Sequence, residues 1–434
     1  MGFDERVDIA VVGAGAAGLF ASIRAAQTLR ERGVDGRVIA LDGAKKLGAK
    51  ILVAGGGRCN VTHYAVDESA YAGSSRNAIK KVLRRFGVAQ TVEFFADRGV
   101  ELKREETGKL FPTTDDAHTI LDALLGAARD TGVTLVHPWR VDRIESTGGE
   151  FRIHPDPSSQ HPASIRARRV ILATGGMALP RTGSDGHGYA LARSLGHTIT
   201  AQVFPALVPL VLDPQRSFVR DLSGLTVNAT VELWSGSGRK LQSFTNSILC
   251  THFGLSGPGV LDISRYFTAA RHDDPQARLS INWLPRCTFD QADAMLAESP
   301  RLSVGRRLAE LLPDRLGRAL CGAVTLDPST MCSSLRRDDR RALAHAMTRC
   351  EMAIAGDRGF SHAEVTAGGI PLAELNLDTM ESRACPGLYL CGEICDVDGR
   401  IGGFNFQWAW ASGHIAGSAA AGAIADQAGL PPSG

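Results

Sequence analysis

Gly13, Gly15 and Gly18 stand in a G-x-G-x-x-G spacing within "VDIAVVGAGAAGLFASIRAAQ". The first glycine permits a tight turn. The second lets a backbone approach a pyrophosphate, and the third lets a helix pack closely on a strand. The apolar run before them predicts a buried strand, and the small-residue run after them predicts a helix. That helix would turn its free N–H groups and positive dipole end to phosphates. A second strand, "GRVIALD", ends in Asp42, 24 residues past Gly18. A carboxylate there can accept hydrogen bonds from the ribose hydroxyls of an adenosine without a 2′-phosphate. Strand, turn, helix and acid in this order set the pattern apart from a chance glycine turn.

The fingerprint serves NAD and FAD alike, and the segment after Asp42 separates them. A dehydrogenase would continue with alternating strands and helices. Here the chain runs into "GAKKLGAKILVAGGGRCNVTH", in which Gly55, Gly56 and Gly57 precede Arg58, Cys59 and Asn60. A glycine loop of this kind can lie against a flat ring system and a pyrophosphate arm. A helical region comes next, then the strand-like runs "LVHPWRVDRIE", "EFRIHP" and "SIRARRVILATGG", the last ending in Thr174 and Gly175. Near the other end, "GLYLCGE" reads as a buried strand that passes Gly392 and ends at Glu393.

The chain has 434 residues, 44% of them hydrophobic and 22% charged, with a net charge of +2. Those values suit a soluble protein of two or three domains and point to no particular partner. No apolar run is long enough for a membrane span, and the polar start is not that of a signal peptide. The nine cysteines, an odd number, do not suggest a disulfide framework, so a reducing cytoplasm is the expected location. No Cys/His cluster has zinc-like spacing, and no metal is expected.

Several segments together resemble bacterial flavoproteins of the BaiN-like group, in the glutathione-reductase-like FAD superfamily. They are "VVGAGAAGL", "GGGRCNVTH", "ILATGGMALPRTGSDGHGYALARSLGH", "PALVPL", "THFGLSGPGVLDIS", "VTAGGIPLAELNLDTMESR" and "GLYLCGEICDVDGRIGGFNFQWAWASG", and they span nearly the whole chain. The resemblance implies an α/β fold: a glutathione-reductase-like FAD-binding Rossmann domain interrupted by an inserted α+β domain. The FAD-binding domain would occupy residues 1–198 and 361–434, with a substrate or cap domain at 199–360. The resemblance also implies FAD, held by Gly13, Gly15, Ala16, Ala17, Gly18, Asp42, Lys50, Gly56, Gly57, Arg58, Cys59, Thr174, Gly175, Gly392, Glu393, Gly403, Asn405 and Phe406. Glu393 matches a strand-end acid that hydrogen-bonds the ribityl chain. Gly402 and Gly403 would let the backbone approach the isoalloxazine. Asn405, Phe406 and Gln407 would open a final helix whose N–H groups stabilise the negative charge of a reduced flavin. Of Trp408 and Trp410, at most one would face the ring.

The chemistry stays more open than the cofactor. Disulfide reduction needs a second cysteine five positions from Cys59, and Ala54 and Tyr64 stand there instead. Cys59 is either a lone acid that protonates carbon or a small residue packed under the ring. His252, in the turn "CTHFGLSGPG", is either a general acid or a structural histidine. There is no second glycine fingerprint, so NAD(P)H, the expected electron donor, would dock transiently, or another carrier would bring the electrons. The helix "SSRNAIKKVLRRFG" sets Ile79, Val82, Leu83 and Phe86 on one face and basic residues on the rest. That basic face is either simply solvated or a contact for RNA phosphates, and Arg336, Arg337, Arg340 and Arg341 carry the same two readings. The expected activity is FAD-dependent reduction of an activated C=C bond, in a small enone or in a uracil of rRNA. The alternatives are an amine oxidase that uses O2 and a non-catalytic flavoprotein that binds RNA or senses redox state.

Overall fold

The structure is a computed structural model, and it describes residues 5–158 and 163–429. Contacts divide the chain into two units, 1–205 with 364–434 and 206–363. These divisions fall a few residues beyond the composition changes at 198 and 360.

The first unit is built on a nine-stranded sheet. At its centre the strand Glu5–Val12 pairs in parallel with Ile165–Leu172 on one side and Val38–Leu41 on the other. Leu388–Leu390 and Thr134–Val136 extend the parallel order outward. Ile9 to Val12 are all buried, the near-continuous apolar run of a parallel strand covered on both faces. The antiparallel strands Val141–Thr147 and Glu150–Pro155 lead into Ile165–Leu172. Beside the sheet, helix Ala16–Glu31 packs along the C-terminal helix Phe404–Gln427. Their axes come close because Gly413 and Gly417 carry no side chain. A Cβ on Gly413 would stand 2.7 Å from the Ala17 carbonyl oxygen, and one on Gly417 would run into that of Ala21. The two ends of the chain are thereby locked into one layer.

The second unit has its own core, with Trp283 fully buried in it. Seven strands form one antiparallel sheet. Thr226–Trp234 buries every second residue from Val227 to Leu233, the period-two pattern of a strand with one covered face. Helix Pro258–Asp273 packs on the sheet, and Phe289–Ala297, Val304–Ala309, Asp314–Ala323 and Arg337–Thr348 make up the helical part.

Candidate functional site

The glycine turn joins the first strand to the first helix. Gly13 has φ +98°, and a Cβ there would sit 2.5 Å from the Ala173 carbonyl oxygen. A Cβ on Gly18 would collide with the Gly13 carbonyl. Gly15 differs, because a Cβ there meets nothing within 4 Å. The protein therefore needs two of these glycines for its own packing and leaves the third facing open space. Helix Ala16–Glu31 is capped by Gly15, whose carbonyl takes the Leu19 N–H, so the N–H groups of Ala16, Ala17 and Gly18 are left for a ligand. Asp42 bonds this loop. Its Oδ2 accepts the Ala14 N–H at 2.7 Å and its Oδ1 the Ala44 N–H at 2.8 Å.

Gly392 brings the far end of the sequence to this turn. Its φ is +77°, and a Cβ on it would approach the Ala17 methyl group to 2.7 Å. The next residue, Glu393, pairs with Lys50 at 2.5 Å, 343 positions away. Glu393 Oε1 also accepts the Thr366 N–H at 3.0 Å. Thr366 in turn accepts from Met177 and Ala178 through its hydroxyl, at 2.7 and 3.0 Å. Lys50, Glu393 and Thr366 thus tie three distant segments together. Thr366 carries no signal of its own in the sequence beyond its place in the segment "VTAGG". Gly175 has φ +73° and faces Ser184, and the neighbouring Thr174 hydroxyl is buried with no partner.

The final helix starts at Phe404, capped by Gly403 with φ +92°. A Cβ on Gly403 would lie 2.6 Å from the Thr62 carbonyl oxygen, so only glycine lets these backbones pass. His63 stacks on Phe404 at 4.9 Å, a neighbour that local periodicity could not reveal. The side chains of this segment are engaged within the protein. The Asn405 amide is taken up by Gly399, accepting its N–H at 2.8 Å and donating to its carbonyl at 2.9 Å. Phe406 stacks on Trp410. Trp408 and Trp410 are both core residues, donating to the Gly392 and Val61 carbonyls. Gln407 is fully buried among Thr62, Thr91 and the Phe86 carbonyl.

The loop Gly55–Gly57 is exposed, with φ between +59° and +87°, and Gly56 has open space around its Cα. Arg58 turns to the acids. It pairs with Glu105 at 2.7 Å and Asp115 at 3.4 Å and lies over Phe111, and the Glu105 hydrogen bond holds its pKa above the ordinary value. Cys59 is fully buried, and burial pushes its thiol up to about 12. With no exposed surface and so weak an acidity, the Cys59 side chain matches the packed small residue better than the proton donor. His252 lies in the second unit. It is exposed in the two-residue turn between strands Lys240–Thr251 and Gly254–Ser256, and Phe253 lies edge-on to its ring.

The first unit fits a flavin dinucleotide on its own chemistry. Open space lies at Gly15 and Gly56, free N–H groups begin both helices, and the buried Thr174 Oγ1 and Asn60 Oδ1 have no protein partner. Among the described residues no group of His, Cys, Asp and Glu is placed to hold a metal, and no helix is long and apolar enough to cross a membrane.

This is an FAD-binding Rossmann fold. Quinol-fumarate reductase shares it with a TM-score of 0.52 at 16% identity, the match covering 99% of this chain and 73% of that one. So does 3-ketosteroid delta1-dehydrogenase from Sterolibacterium denitrificans, with a TM-score of 0.52 at 12% identity over 96% and 100%. Residues 7–419 match the family described as HI0933-like protein Rossmann domain, and the chain belongs to that family. It is 36% identical to a 3-dehydro-bile acid delta(4,6)-reductase of Clostridium scindens, covering 95% of this chain and 98% of that protein. It is 33% identical to the ribosomal RNA dihydrouridine synthase of Escherichia coli, covering 94% and 96%. It is an FAD-dependent oxidoreductase.

Proposed function

We propose that the protein is a cytoplasmic, NAD(P)H-linked reductase of a C=C bond conjugated to a carbonyl, acting on a small molecule. One observation carries this reading: full-length similarity to two enzymes whose names both describe hydrogen added to such a bond. FAD, when bound, supplies the hydride. The chain's own residues do the rest. Gly15 admits the pyrophosphate, and the N–H groups of Ala16 to Gly18 bind it. Glu393, held by Lys50 and Thr366, fixes the ribityl chain. The N–H groups that open the helix at Phe404 stabilise negative charge on the reduced ring. Of the two candidate acids, His252 has an exposed ring, and Cys59 is withdrawn into the core.

The charge distribution favours a small substrate over RNA. On the helix Arg76–Leu83 and its end, Lys80 pairs with Glu68 at 2.6 Å, and Lys81 and Arg85 with Asp378 at 2.7 and 3.4 Å. Arg336 pairs with Asp339 and Arg340 with Asp293. Basic residues already paired with carboxylates release few counterions on meeting phosphates.

The test is to reduce the yellow holoprotein with NADPH without air, then mix it with a 4-en-3-one steroid or with aerated buffer. Faster recovery of the oxidised spectrum with the enone supports the reductase. Faster recovery with air, accompanied by peroxide, sinks it in favour of an oxidase. The similarity to the E. coli enzyme sustains a second reading, a uracil of rRNA as substrate. Loss of a dihydrouridine from the rRNA of a deletion strain, mapped by borohydride cleavage, would establish it.

A further inference from the structure

Two arginines of the second unit have no carboxylate partner among the described residues. Arg220 Nε donates to the His252 carbonyl at 2.7 Å, while Arg358 lies 4.4 Å over the ring of Phe253. The two residues of one tight turn are therefore each gripped by an arginine. Thr251 and Gly254 close that turn, with the Thr251 hydroxyl donating to the Gly254 carbonyl at 3.0 Å and the Gly254 N–H donating back to it at 3.1 Å. A Cβ on Gly254 would collide with the Leu210 carbonyl, so the turn is seated on the neighbouring strand.

Arg358 is held on its other side as well. Its Nη2 donates to His362 Nε2 at 2.8 Å, and His362 Nδ1 lies 3.1 Å from the Arg358 carbonyl. A guanidinium has no acceptor, so Nε2 must accept and Nδ1 must carry the proton. His362 is thereby a neutral imidazole that braces a cation. Among the described residues no carboxylate pairs with Arg220 or Arg358. The adjacent Asp357 accepts the Gly359 N–H at 2.7 Å. Two half-buried arginines thus meet one turn, and each keeps N–H groups that these contacts do not use. A planar carboxylate matches that geometry better than a point anion does.

We propose that Arg220 and Arg358 form a carboxylate-recognition site in the second unit, with His362 as the positioning residue, and that it selects substrates bearing a carboxylate. The proposal rests on the reading of the protein as a reductase of a conjugated carbonyl compound and narrows that substrate to an acid. Recognition requires no covalent step.

The experiment titrates oxalate, and separately inorganic phosphate, into the oxidised, FAD-loaded full chain by calorimetry. Oxalate should bind more tightly than phosphate. Arg358→Gln and Arg220→Gln should each weaken oxalate by about tenfold or more, as expected when a charged hydrogen-bonding partner is lost. Arg318→Gln, a change on an exposed helix, should leave it unaltered. His362→Leu should weaken oxalate, and His362→Gln, which keeps an acceptor for Arg358, should restore it. Thermal melts of each variant identify any that fail to fold, and Arg358→Lys then replaces a failing Arg358→Gln. Oxalate affinity unchanged in both arginine variants overturns the site, and so does tighter binding of phosphate than of oxalate. Because oxidised protein is used, no turnover is needed. Failure of the unsubstituted protein to bind oxalate, with its enone turnover intact, defeats this inference alone. Oxalate recognition without enone turnover defeats the functional reading alone.

Discussion

At the scale of single residues, chemistry here depends on which side chains the packing leaves free. Gly13 and Gly18 are required by the protein's own backbone, and Gly15 is required only by something that occupies the space beside it. The two kinds of glycine should fail differently. Gly15→Val should give a folded protein with a near-normal melting temperature that no longer retains FAD. Gly18→Val should destabilise the fold itself by several kcal/mol, on the order of 3 or more, because the branched side chain meets a carbonyl that cannot yield. Melting curves with and without added FAD separate the cases. A Gly15→Val protein that still gains stability from FAD would show that the pyrophosphate lies elsewhere.

At the scale of elements, the seam between the first and last helices holds the cofactor half-sites together. Both Gly413 and Gly417 face the first helix with no room for a methyl group. Gly422, in the same helix, has open space where a Cβ would be. Gly417→Ala should therefore cost about 2 kcal/mol or more through forced separation of the helices. Gly422→Ala should be neutral or stabilise by up to about 1 kcal/mol, since alanine is the better helix former. Urea titrations measure both. Equal effects would mean that the seam is not a close contact. The helix Arg76–Leu83 makes the complementary point. Its apolar face is buried as its spacing predicts, with Ser75 accepting the Ala78 N–H, yet Glu68 and Asp378 take up part of its charge.

At the scale of the whole molecule, the cysteines report on packing. All nine are free, and Cys287 is the one that is not buried. Burial raises the thiols of Cys391 and Cys59 to about 12, so neither offers thiolate at neutral pH. At about pH 8, a thiol reagent should modify roughly one cysteine in the native protein and the rest only after unfolding. Rapid reaction of several thiols in the native state would show that the core opens far more readily than its packing implies.

The sequence alone determined the strand–turn–helix that opens the chain, the two-part flavin fold and the alternating strands of the second unit. The first and the last are written in local terms, as glycine spacing, an acid at a strand end and a period of 2, whereas the two-part fold is implied by the resemblance to known flavoproteins. The tertiary structure decided how those residues serve one another. It buried Cys59, committed the Asn405 amide to Gly399, placed both tryptophans in the core and joined Lys50 to Glu393 across the chain. It also left Arg220 and Arg358 beside one turn without a carboxylate among the described residues. No periodicity encodes these outcomes. Whether a polar group is free, paired or buried depends on neighbours that come into place only when the layers pack, as with Lys50 and Glu393, 343 positions apart.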